Sequence, residues 1–226
     1  MKKSAMVGFL GLCIAFVVFC SAPAFALDKV KFYFEGEVGA SFVNLDSGGI
    51  NTAGPHKNTG DDWDTVVVPG AHFGAELFRF LRADIGFNYR RSLNFTTNSF
   101  EPPVPTFFYN TDADTSSLMF SLFFEPIHYK KWTPYVGAGV GSTWIDIKTN
   151  DTFVHGSDKE TNFAWQVEAG IQYELSKHFA LRLGYRYIDM GSVNIPLEEI
   201  SFPTPAGQLK ADLTAHDVVL GLRYRF

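Results

Sequence analysis

At 226 residues the chain is long enough for one large domain or two small ones, and its 23 Phe and 9 Tyr create an apolar surface that must be buried or given to lipid. The formal charge of −5 argues against nucleic-acid binding. The two cysteines, Cys13 and Cys20, both lie in the first 26 residues, so removal of that segment excludes disulfides, thiol catalysis and thiolate metal sites.

Those first residues read as a secretory signal. Lys2 and Lys3 precede an apolar run from Val7 to Cys20, and Ala24-Phe25-Ala26 supplies small residues where signal peptidase reads. The run is shorter than the roughly 20 residues that a spanning helix needs. Cys20 follows Phe19, not the small residue that a lipoprotein signal requires. Cleavage is expected after Ala26, leaving 17 cationic and 24 acidic side chains and a single barrel domain over 27–226.

Beyond residue 26 the apolar residues recur with period two, which predicts strands and no helices. The expected strands are Lys31–Val43, Thr65–Phe78, Arg82–Phe95, Thr115–Glu125, Thr133–Ile147, Thr161–Leu175, Phe179–Asp189 and Ala211–Phe226. Each is as long as the roughly 9 to 11 residues of a tilted transmembrane strand. Long polar connections are expected at Asn44–Asp64, Thr96–Asp114, Lys148–Glu160 and Met190–Lys210, and short ones at Arg79–Leu81, Pro126–Trp132 and Ser176–His178. Long loops outside and tight turns on the periplasmic side are the pattern of a membrane barrel. No tandem repeat beyond the hairpin period is evident. The fold class is therefore all-β, an eight-stranded antiparallel up-and-down transmembrane β-barrel.

One face of each strand is oily and the other polar. Phe32, Phe34, Val38, Ala40 and Phe42 alternate with Tyr33, Glu35, Glu37, Gly39 and Ser41, and Phe163, Trp165, Val167 and Ala169 with Gln166, Glu168 and Gly170. A soluble barrel would bury the oily set around a ligand. The aromatic crowding, the long and short connections and an aromatic last residue favour the oily set facing lipid. Charges on the other face then form a lumen network: Glu35, Glu37, Glu76, Arg82, Asp84, Glu168, Arg182, Arg186, Arg223 and Arg225, with His72, Arg90, Glu125, Glu174 and Asp217 also on it. The expected pairs are Glu35 and Glu37 with Arg223 and Arg225, Glu76 with Arg82, and Glu168 with Arg182 or Arg186. They fill an interior only wide enough for side chains, because buried charge must be paired. Gly137, Gly139 and Gly141 are expected to make room for the long Arg and Glu chains.

Other motifs carry less. His155-Gly156-Ser157 is similar to the His-x-Ser of outer-membrane lipid A deacylases, but it falls in an expected loop and Asp158 stands where Asn is expected. Asn110, Asp112 and Asp114 have the spacing of a calcium loop without its glycine or final Glu, and Asp61, Asp62 and Asp64 read as a solvated loop. Trp132, Trp144 and Trp165, with Tyr109, Tyr135 and Tyr185, are expected in the interfacial girdles. No cofactor, metal or catalytic set is expected.

Three stretches carry a resemblance: Thr133-Pro134-Tyr135-Val136-Gly137-Ala138-Gly139-Val140-Gly141, Phe179-Ala180-Leu181-Arg182-Leu183-Gly184-Tyr185-Arg186-Tyr187 and Gly221-Leu222-Arg223-Tyr224-Arg225-Phe226. The chain resembles the small outer-membrane barrels that include the opacity surface antigens and the transmembrane domain of outer membrane protein A. The resemblance implies a Gram-negative outer-membrane location and exposed, variable loops. Leu222, Tyr224 and Phe226 resemble the C-terminal signal read by the β-barrel assembly machinery. The expected role is non-enzymatic and structural, a monomer in outer-membrane lipid whose four loops meet host or environmental ligands. A narrow porin-like channel for small or apolar solutes is the alternative, and lipid A deacylation a third reading.

Overall fold

The computed structural model describes residues 30–50, 57–58, 61–101, 104–150, 154–199 and 205–226. The expected signal segment lies outside them. Eight long strands follow one another: β1 Lys31–Ile50, β2 Asp61–Phe78, β3 Leu81–Glu101, β4 Val104–Phe124, β5 Trp132–Asn150, β6 Val154–Glu174, β7 Phe179–Glu199 and β8 Pro205–Arg225. A two-residue strand, Lys57–Asn58, pairs with Phe100 and Ser99 of β3. Each long strand pairs antiparallel with its sequence neighbour, and β1 pairs with β8 from Tyr33↔Arg225 to Ile50↔Leu209, which closes the barrel. Closure leaves no free sheet edge in the hydrocarbon, where an unpaired backbone group costs several kcal/mol.

Within the barrel wall the period-two pattern sorts the faces as expected. Val38 and Leu220 face outward in one register row and are each half exposed, whereas Glu35, Glu37, Arg182, Arg186 and Arg223 are buried inside. The same alternation then runs on past the expected strand ends. Val43 and Leu45 follow Ser41 on the inner face, and Leu93, Phe95, Ile145, Ile147, Val193 and Leu213 join them in one apolar cluster. Asn44, Asp46, Asp112, Asp146 and Asp212 take the outer face there, and none of them is buried. The wall therefore reverses its polarity along its height. It is oily outside and charged inside where it meets lipid, and polar outside and oily inside above it, as in a soluble barrel.

That reversal corrects the expected loops. Most of Asn44–Asp64, Thr96–Asp114, Lys148–Glu160 and Met190–Lys210 is strand, and the ladders climb to Glu101↔Val104, Asn150↔His155 and Glu198↔Pro205. Asp112, Asp146 and Pro196 within those segments sit in strands paired to neighbours, Pro102 and Pro103 lie outside the described residues, and the continuing apolar inner face holds the ladder together. The short connections are as expected, and both Lys31 and Arg225 lie at their end of the barrel.

The ladder opens in two places. Paired residues of β2 and β3 stop above Gly70↔Asn88, and those of β6 and β7 are interrupted between Trp165↔Asp189 and His155↔Glu198. Side chains bridge both seams: Asp64 accepts the Asn94 backbone N–H at 2.7 Å, and Glu160 accepts that of Asn194 at 3.2 Å. With eight strands in the ring these seams stand opposite each other. The sequence explains why. Glu76-Leu77 through Gly86-Phe87-Asn88-Tyr89 aligns without a gap on Glu174-Leu175 through Gly184-Tyr185-Arg186-Tyr187. β3 and β7 then leave regular pairing at Ser92 (φ 59°) and Gly191 (φ 81°).

Candidate functional site

The lumen at the membrane level is the most developed cluster of polar side chains. Five arginines, Arg82, Arg90, Arg182, Arg186 and Arg223, are almost wholly buried there with Glu35, Glu37, Asp84, Glu125, Glu168 and Asp217. Arg182 on β7 stands at the centre, its guanidinium against the carboxylates of Glu35, Glu37 and Glu168. Arg223 donates to Glu35 at 2.9 Å, and Arg186 to Glu37 at 2.8 Å and Asp217 at 3.0 Å. Arg90 donates to Asp217 at 2.6 Å and to Ser41 at 2.9 Å, so the network stops one layer below the apolar cluster. His72 lies 3.2 Å from Glu37 and 3.7 Å from Asp84.

Of the pairs expected between β1 and β8 only Glu35 with Arg223 forms: Glu37 turns instead to Arg182 and Arg186, and Arg225 to Glu76 and Glu174, while Glu168 meets Arg182. The Glu76 and Arg82 side chains do not. They are opposite in register, yet Glu76 pairs with Arg225 at 2.6 Å while Arg82 reaches Glu125 at 3.1 Å and Asp84 at 3.6 Å. Long side chains in a narrow tube cross to other strands, so register does not name their partners. Arg225 also pairs with Glu174 at 2.5 Å and forms a separate group at the short-turn end.

Neutral partners were not evident from charge pattern alone. Tyr33 donates to Asp84 at 2.7 Å and Asn88 to Glu37 at 2.7 Å. Tyr135 donates to Glu168 at 2.7 Å and is buried, so it belongs to the lumen and not to the aromatic girdle. Its inward place follows from the parity it shares with Thr133 and Gly137. Trp132, Trp144, Trp165 and Tyr185 are exposed outside as expected, and the Tyr109 side chain lies outside the described residues.

The glycines of β5 serve a different neighbour than expected. A Cβ at Gly137 would meet the Phe123 ring at 2.3 Å, and one at Gly139 would meet Ser121 at 2.5 Å. Phe123 in turn carries the Arg82 guanidinium 4.0 Å from its ring centre, a buried cation–π contact. Room for the carboxylates comes from other strands: Gly70 faces Glu37, Gly184 faces Glu168 and Gly221 faces Glu35, whose Oε1 would lie 2.6 Å from an added Cβ. Gly221→Ala is accordingly expected to destabilise the barrel by about 1 to 3 kcal/mol, because Arg182 and Arg223 hold Glu35 in place. Urea titration of the refolded barrel, followed by tryptophan fluorescence, reads that loss.

The remaining motifs are on strands. Ser157 is exposed on β6, opposite Lys148, and His155 is in β6 rather than in a loop, its side chain outside the described residues. Asp112 and Asp114 face outward on β4, Asp114 accepting the Ser92 backbone N–H at 2.8 Å. Asp61, Asp62 and Asp64 likewise lie in β2 and not in a loop.

The sequence model of the outer membrane protein beta-barrel domain matches residues 12–226. An uncharacterized protein of Brucella suis is 28% identical over 195 residues, covering 72% of this chain and 69% of that protein. Outer membrane protein PagN of Salmonella typhimurium is 24% identical over 98% of this chain and 100% of its own length. Among solved structures, OprG from Pseudomonas aeruginosa superposes with a TM-score of 0.58 at 15% identity, over 86% of this chain and 95% of its own. Neisserial surface protein A superposes at 0.52 with 17% identity, over 86% and 97%. These two likenesses establish the barrel fold.

Proposed function

We propose, because the chain belongs to the outer membrane protein beta-barrel domain family, that it is a non-enzymatic outer-membrane surface protein: a sealed scaffold raising four hairpins on the extracellular side. The observation that carries this reading is the double filling of the lumen. Paired charges occupy the membrane level and an apolar cluster occupies the level above. An open channel needs a water-filled interior, which eight-stranded barrels are too narrow to keep once side chains fill them. The hairpins are the surface offered to host or environmental ligands.

Export with removal of residues 1–26 after Ala26 belongs to the same proposal. So does recognition of Leu222, Tyr224 and Phe226 by the assembly machinery, since Leu222 and Tyr224 of β8 and Phe226 just after it are all exposed. The barrel acts as a monomer closed on itself.

Planar-bilayer recording of the purified protein tests the sealed lumen. The expected result is no steady large conductance and no uptake of small or apolar solutes by liposomes carrying it. A stable open level or solute flux would establish the narrow-channel alternative instead.

A further inference from the structure

The short-turn end of the barrel is cationic in a way that the lumen does not explain. Lys31, Arg79, Lys130, Lys131 and Lys177 are all exposed there. Every acidic side chain described at that end already has a partner: Glu76 and Glu174 hold Arg225, and Glu125 holds Arg82. The cations are spread around the rim, one or two to each turn, and do not converge on one point.

Each also stands beside exposed apolar side chains. Arg79 lies between Phe78 and Phe80, whose rings stack 5.7 Å apart and are 62% and 50% exposed. Lys130 and Lys131 lie between Tyr129 and Trp132, 64% and 47% exposed. Lys130 holds its ammonium 5.4 Å from the Tyr129 ring centre, and Lys131 holds its own 5.7 Å from that of Tyr173. Tyr129 and Trp132 exchange both backbone hydrogen bonds at 2.9 Å, so Lys130-Lys131 forms a two-residue turn. Such turns favour Asn-Gly because they need positive φ. Lys130 nevertheless stands there at φ 55°, a conformation that a lysine adopts at a cost.

We propose that this rim is a binding collar for anionic phospholipid headgroups of the leaflet that faces the periplasm. The rings anchor at the interface while the flexible cations reach phosphate at the same depth. A soluble acidic partner would find its cations dispersed around a circumference and interrupted by greasy side chains. A ring of headgroups matches both the dispersion and the interleaving.

The test reconstitutes the full barrel in phosphatidylcholine vesicles carrying a minor fraction of spin-labelled phosphatidylglycerol or spin-labelled phosphatidylcholine. The immobilised boundary fraction is then compared. Phosphatidylglycerol is expected to be favoured about fivefold, the equivalent of one cation–headgroup contact. The variant R79Q/K130Q/K131Q/K177Q is expected to lose the preference. A matched variant at the other end, R91Q/K148Q/K159Q/K210Q, is expected to keep it. Salt at ~1 M, where screening acts within about 3 Å, is expected to abolish it in the unmodified protein, so the test does not depend on the variants folding. Equal immobilisation of both lipids, a preference that survives high salt or the rim variant, or one lost with the opposite-end variant would overturn the proposal. So would tight, salt-sensitive binding of soluble polyglutamate without lipid preference, which would point to a soluble partner.

Discussion

Arg182→Met is expected to destabilise the barrel by about 3 to 5 kcal/mol, the range for leaving buried charge without its counter-charge. Glu35, Glu37 and Glu168 all contact that one guanidinium. Arg223 and Arg186 still reach Glu35 and Glu37, but Glu168 would keep only the Tyr135 hydroxyl and a distant contact with Arg186 at 3.9 Å. Urea unfolding in lipid vesicles, together with the temperature at which the folded band is lost on gels, measures the effect. Arg182→Lys is expected to recover only part of it, because a single ammonium cannot address three carboxylates from the fork positions of a guanidinium. Adding Glu168→Gln to Arg182→Met removes one stranded charge and is expected to restore some stability. If the single and double variants unfold alike, the carboxylates around Arg182 do not act as one network.

Leu220→Arg is expected to cost roughly 2 to 4 kcal/mol, since Leu220 sits near the middle of the oily belt in one register row with Val38 and Leu183. The same change at Asp46, exposed four residues above Phe42 on the outer face of β1, is expected to fall within about 0.5 kcal/mol of zero, as for an ordinary surface site. The inner face gives the mirror result. Leu45→Arg places charge in the apolar cluster and is expected to destabilise strongly, although Leu45 lies above the membrane. Unfolding free energies of the three variants therefore map the height at which the wall changes polarity. Equal penalties at positions 46 and 220 would mean that the belt extends higher than the exposed Asp46 allows.

Strand number, order and facing were legible because a period of two states which side chains share a face whatever the partner strand. The membered charges of β1, β7 and β8 were legible for the same reason. Their contacts were less so. Arg82 turns from Glu76 on one neighbouring strand to Glu125, diagonal to it at the end of the other, because a long side chain reaches past the residue that faces it in register. Tyr135 looked like an interfacial ring until parity with Thr133 placed it inside. The upper ladders were hidden for another reason. Asn, Asp and Pro suggest breaks, and only the inner residues, Val43 with Leu45 and Ile145 with Ile147, show that the strands continue. Reading each face separately, instead of the summed polarity of a segment, would have found them.

The reversal of polarity also sets a reach. From Asn44 to Ile50 β1 continues as strand above the last outward apolar ring at Phe42. At about 3.3 Å per residue, less the tilt, that lifts its upper end roughly 20 Å clear of the hydrocarbon. A partner approaching from outside therefore meets a raised turret whose own greasy interior ties its hairpins to one another, rather than four tethers lying among the sugars of the outer leaflet. Contact made on those paired strands would draw little additional ordering entropy from the backbone.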